Sequence, residues 1–150
     1  MIMINKLNWS YGVKTHWVQS MFRIILGLSL LFAGVSHLSF ARAEFVAQVP
    51  QWVPLDTDLV VILSGIAEIL LGAALVFIPQ WKALVGWTVA IFFVLIFPGN
   101  VAQYLNEADA FGLNTNEARF IRLFFQPVLV LWALWSTGAY KAYVNRNKTK

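Results

Sequence analysis

Four stretches, at about residues 20–40, 59–78, 84–104 and 120–140, are unbroken apolar runs, and roughly 20 apolar residues are what a helix needs to cross a bilayer. The runs do not alternate apolar with polar, and no hairpin turn punctuates them, so membrane β-strands are excluded. Backbone in lipid must satisfy its own hydrogen bonds, and a helix does this within one segment. Composition agrees: 59% of the residues are hydrophobic and 12% charged, against about 45–50% and 25% in soluble domains. A chain this size cannot bury so much apolar surface on itself, and lipid must cover the rest. The expected fold is therefore all-α, a single integral membrane four-helix bundle spanning the whole chain, with residues 1–19 and 141–150 as tails.

The absence of cysteine excludes a thiol–disulfide relay, thiolate-held iron–sulfur clusters and cysteine-attached haem on this chain. The first apolar run is preceded by basic residues and followed by Ala41-Arg42-Ala43, which resembles a signal-peptide cleavage site. The leader before Ile24 is too long for an ordinary n-region, and a retained helix is the expectation. The net charge of +4 does not point to nucleic acid, because no basic–aromatic recognition module accompanies it. The charge instead sorts by side. Lys6, Lys14, Arg23, Lys82, Lys141, Arg146, Lys148 and Lys150 fall on one side, and Arg42, Arg119 and Arg122 on the other. The positive-inside rule then places both termini in the cytoplasm. Trp9, Trp17, Trp52, Trp81 and Trp87 lie near the expected boundaries as interface anchors.

Polar residues inside the spans carry the functional signal, since ionisable groups in lipid are expensive. Glu68 stands out, near the middle of the second span on a stripe with Ser64 and Gly72. It is either a packing hydrogen bond or a functional carboxylate with a partner. The fourth span offers Arg119, Arg122 and Gln126 on one face. Arg119 reads as an interface anchor, and Arg122 is long enough to reach Glu68. His37, at the outer end of the first span, reads as a hydrogen-bonded terminus or as a proton carrier beside Glu68. No metal site is expected, because no second His or Cys stands at ligand spacing. In the third span Pro98 cannot donate to the Val94 carbonyl. Asn100 either repairs that defect or meets a ligand, and Gln103 follows three residues on.

All four spans thus put a polar group in the half away from the termini: His37, Glu68, Asn100 with Gln103, and Arg122 with Gln126. The other half of each span has almost none. A polar chamber opening outward beneath the first outer loop, Val49-Pro50-Gln51-Trp52-Val53-Pro54, explains this sorting. Thr57 or Asp58 is expected to cap the second helix.

These pieces, in order, resemble the DoxX family of small four-helix bacterial membrane proteins. The matching residues are Phe32-Ala33-Gly34-Val35-Ser36-His37, Phe45, the Val49–Pro54 loop, Ser64-Gly65-Ile66-Ala67-Glu68-Ile69-Leu70-Leu71-Gly72, Phe97-Pro98-Gly99-Asn100, Arg122-Leu123-Phe124-Phe125-Gln126 and Trp132. Gly99, where alanine is usual, and Leu38, where an aromatic is usual, depart from the family pattern. The resemblance implies a multi-pass protein of the bacterial inner membrane, linked to quinone-dependent redox chemistry or oxidative-stress resistance. Four short helices with an apolar inner half offer no second gate, which favours an accessory or binding protein without catalytic activity of its own. A quinone is the candidate bound molecule, and a membrane oxidoreductase or a second copy of the chain the candidate partner. The alternative is a small proton-coupled transporter using Glu68.

Overall fold

Short polar side chains start three of the four long helices. In the computed structural model, which describes residues 12–148, α1 (Trp17–Leu38) begins with a capping box. His16 accepts from the Val18 N–H, and Gln19 accepts from the His16 N–H. After the short α2 (Arg42–Val46), helix α3 (Thr57–Phe77) is capped by Asp56, whose carboxylate accepts from the Leu59 N–H at 3.0 Å. The cap is thus neither Thr57 nor Asp58. Asp58 is engaged elsewhere, taking a two-pronged ion pair from Arg42 of α2, which fastens the first long loop to the top of α3.

A 3-10 turn at Pro79–Trp81 leads into α4 (Lys82–Leu105). Helix α5 (Asn116–Ser136) is capped by Thr115, and so starts four residues earlier than the apolar run suggests. It also stops earlier. Gly138 adopts φ +70°, which L side chains avoid, and reverses the chain into α6 (Ala139–Lys148). The residues expected as the end of the fourth span and a tail instead form a helix packed on α4 and α5, with Ala139 and Ala142 buried against Ala83. The basic and aromatic residues Lys6, Trp9 and Lys150 lie outside the described residues.

The helices α1, α3, α4 with its preceding turn, and α5 are long and apolar enough to cross a membrane. Their outward faces carry exposed Leu28, Phe32, Leu70, Leu95 and Leu131, as lipid contact requires. The chain reads as a multi-pass membrane protein.

Packing proceeds by pairs. Helices α1 and α3 are antiparallel and approach at glycines seven residues apart on each. A Cβ on Gly34 would lie 2.6 Å from the Gly65 carbonyl oxygen, and one on Gly72 would lie 2.6 Å from that of Gly27. Small residues allow such close backbone contact in lipid. Helices α4 and α5 form the second pair, α1 also meets α5, and α3 meets α4. Among the described residues the diagonal backbones, α1 with α4 and α3 with α5, do not approach. The four therefore form a ring. Leu26, Leu30, Leu75, Val89, Ala90, Phe93 and Ala133 fill its centre toward the end that carries the termini. The other end is left unfilled by this cluster.

Candidate functional site

The space left inside the ring is a cavity of about 1010 Å³, lined by all four long helices and by the two long loops at the end away from the termini, at the upper limit of typical small-molecule sites. Its floor is apolar, with Leu26, Leu30 and Phe93, and its roof includes Phe45, Pro50, Trp52 and Phe111. Five of the six residues singled out above line it: His37, Glu68, Asn100, Arg122 and Gln126. Gln103 does not. It is 1% exposed, but its amide points into the second long loop, donating to the Ala108 and Ala110 carbonyls.

The Gly34–Gly65 crossing sets His37 against Glu68. Nδ1 of His37 lies 2.7 Å from Glu68 Oε2 and 2.9 Å from the Ala33 carbonyl oxygen. A ring nitrogen flanked by two oxygens must carry its hydrogen, so Nδ1 is the protonated nitrogen. In the neutral ring Nε2 is then an acceptor, and it has no hydrogen-bond partner among the described residues. The N–H is better aligned with Ala33, which leaves Oε2 of Glu68 buried and short of donors. The imidazole stacks on Phe45, with centroids 3.3 Å apart and planes 18° apart. Both polar side chains are buried, at 7% and 5% exposure.

Glu68 is therefore not paired with Arg122. Two aromatic rings explain why. Phe111 packs edge-on against Phe45, and the Arg122 guanidinium sits over the face of Phe111, 5.0 Å from its centroid. The cation thus meets an aromatic face where the sequence reading had it meet a carboxylate. Its polar partner is Gln48. In one amide orientation Gln48 Nε2 donates to Gln103 Oε1 at 2.6 Å. In the other its oxygen accepts from both Arg122 terminal nitrogens, at 2.9 and 3.1 Å.

Across the cavity, Asn100 donates to Gln126 Oε1 at 2.9 Å, and Gln126 donates to the Phe93 carbonyl. The carbonyl that Gln126 meets is that of Phe93, one residue before the Val94 carbonyl that Pro98 leaves without its helical donor, and Asn100 holds Gln126 in place. Pro98 stays inside a continuous α4.

Arg119 is more than an interface anchor. At 5% exposure, it ties the second long loop together by donating to the Ala108 carbonyl and to Asn116 and pairing with Asp109. That loop presents Phe111, whose φ of +56° is strained for a bulky residue. Its N–H is held by Glu44 of α2 at 2.6 Å. Gln48 and Phe111 were not singled out from the sequence. A lone amide between Ala47 and Val49, beside a proline loop, is the one signal that could have flagged Gln48.

Among the described residues no three His, Cys, Asp or Glu side chains gather as a metal site. The cavity offers an imidazole, a carboxylate, three amides and one guanidinium above an apolar well. That set suits a ligand with a flat polar head and an apolar body.

The family model of a domain of unknown function, DUF8561, matches residues 26–137. The chain belongs to the DUF8561 family. The match takes in the whole cavity lining, from Leu26 to Leu129, and stops short of α6. Comparison with curated proteins and with solved structures finds no match.

Proposed function

We propose that this DUF8561 protein is a DoxX-like accessory protein of the bacterial inner membrane. In this reading its cavity holds a small amphiphile of the quinone class for a membrane redox partner, and both termini lie in the cytoplasm. One observation carries the reading: the cavity lining is mostly apolar, and His37 and the Asn100–Gln126 pair stand on three different helices around the same space. A quinone carbonyl needs a donor and a quinol hydroxyl an acceptor. Amide N–H groups and a neutral imidazole supply both. The ring fits against Phe45 and Phe111, and the tail against the well or the lipid.

A transporter using Glu68 draws support from the His37–Glu68 contact, which is a plausible proton-handling pair. The close-packed core between the cavity and the termini end offers it no second opening. Proton flux into proteoliposomes that disappears in Glu68→Gln would favour the transporter.

The binding reading is tested by thermal unfolding of the detergent-purified protein with a short-chain ubiquinone, a short-chain menaquinone, and an alkyl alcohol of matched length. The expected result is a rise in Tm with a quinone but not with the alcohol, lost in His37→Ala and reduced in Asn100→Ala. Equal shifts with quinone and alcohol would reduce the cavity to a greasy slot and overturn the proposal.

A further inference from the structure

The opposite end of the molecule holds a buried cation with unmet donors. Arg23, in the second turn of α1, is 6% exposed, and its Nε and Nη1 atoms are buried without a hydrogen bond. Helical side chains slant toward the N-terminus of their helix, so Arg23 leans toward the end carrying the α3–α4 connection. Lys82, the first residue of α4, reaches the same part of α1, because its partner Thr15 has its hydroxyl oxygen 3.4 Å from that of Ser20, three residues before Arg23. The Lys82 ammonium donates to Thr15 Oγ1 at 2.7 Å, using one of three donors. At the same end the Ser136 hydroxyl is fully buried and also lacks a partner.

No side-chain carboxylate of this chain can neutralise the pair. The seven acidic residues are Glu44, Asp56, Asp58, Glu68, Glu107, Asp109 and Glu117, and all but Glu68 belong to the cavity end. Gly27 faces Gly72, so Arg23 stands opposite residue 76, eight residues or roughly 12 Å along the axis from Glu68. Glu68 is in any case engaged with His37. A buried cation with unmet donors is strongly unfavourable unless a counter-charge arrives, and no Asp or Glu side chain among the described residues supplies one.

We propose that Arg23 and Lys82 form a binding site for a phosphate-class oxyanion at the termini end of the bundle. A guanidinium fork and an ammonium point charge are the complement of a tetrahedral phosphate. The phosphate is that of an anionic lipid headgroup or a free ion, and the site is separate from the cavity, whose lining includes neither residue.

The test uses the full chain, delipidated in a non-ionic detergent and unfolded thermally. One arm adds dioleoyl phosphatidylglycerol, a second adds dioleoyl phosphatidylcholine, and a third adds inorganic phosphate against chloride at equal ionic strength. The expected result is a Tm rise of several degrees with phosphatidylglycerol over phosphatidylcholine, reduced by at least half in Lys82→Gln and in Arg23→Gln. It is retained in Lys141→Gln, which removes an exposed charge at the same end. A rise with inorganic phosphate over chloride that follows the same variants identifies a free ion as sufficient; its absence identifies the headgroup. Arg23→Gln empties a buried position and can cost folding. Arg23→Lys, which keeps the charge but not the fork, is therefore read beside it, with bound lipid counted by native mass spectrometry. The proposal is overturned if neither phosphatidylglycerol nor phosphate exceeds its control. It is equally overturned if Lys141→Gln loses as much as Lys82→Gln, because the effect is then general surface charge.

Discussion

Glu68 sits at the crossing of two helices, and its chemistry is decided by what the crossing delivers. An ionisable residue in a long apolar run is conspicuous in any sequence, so that half of the site was legible. Its partner was not. Depth alone admits both His37 and Arg122, and the choice depends on the register in which α1 meets α3 and on two aromatic side chains arriving from loops. With His37 beside Glu68 and Arg122 over Phe111, the energetic couplings should follow the contacts. Removing one side of a buried polar contact leaves the other group short of a partner and costs about 1–3 kcal/mol, and less if water enters this cavity. His37→Ala and Glu68→Gln should each destabilise, and the double variant should cost less than their sum by ~0.5–3 kcal/mol, as residues in contact do. Arg122→Gln combined with Glu68→Gln should be additive. Chemical unfolding of the single and double variants in one detergent measures both cycles. Coupling between Arg122 and Glu68 with none between His37 and Glu68 would reverse the assignment of the pair.

At the scale of elements, the α1–α3 contact depends on glycines that lie backbone to backbone. A Cβ at Gly34 would stand 2.6 Å from the Gly65 carbonyl oxygen and 2.7 Å from Ile69 Cγ1, and a backbone atom cannot rotate away. Gly34→Ala should therefore spread the two helices and destabilise by about 1–3 kcal/mol, the usual cost of overpacking. It should also pull His37 from Glu68. Gly99, on the face of α4 near Gln48, is the internal control. A Cβ there meets only the Gln48 carbonyl oxygen, at 3.4 Å, so Gly99→Ala should be tolerated. Thermal unfolding separates the two, and a Gly34→Ala protein as stable as Gly99→Ala would show that the pair is not closely packed. The existence of four long helices was readable because apolar length is a strong signal, but their ends were not. Caps are chosen by local geometry among neighbouring polar residues, as at Asp56 rather than Asp58. The turn at Gly138 falls inside a region that reads as apolar throughout. Arg23 enters the sequence reading only as one of eight basic residues on one side, and the packed bundle reveals it as buried.

For the whole molecule, the cavity and the charge pattern face opposite ways. The termini end holds the cations Lys14, Arg23, Lys82, Lys141 and Arg146, while the cavity end holds every acid except Glu68. A bilayer reads this asymmetry through the Lys and Arg count of short flanking segments, and the acids contribute little. With both termini in the cytoplasm, as proposed above, the cavity end of the bundle, with Trp52 in its lining, would face the outer leaflet. Single cysteines decide the matter cleanly, since the chain has none of its own. Gln51→Cys and Asn114→Cys lie on exposed loop positions at the cavity end, and Lys148→Cys lies in α6 at the other. In intact cells a membrane-impermeant maleimide should label the first two and should reach the third only after permeabilisation. Labelling in the reverse sense would invert the molecule. The cavity would then draw its ligand from the cytoplasmic leaflet, and the Arg23–Lys82 site would face the outer one.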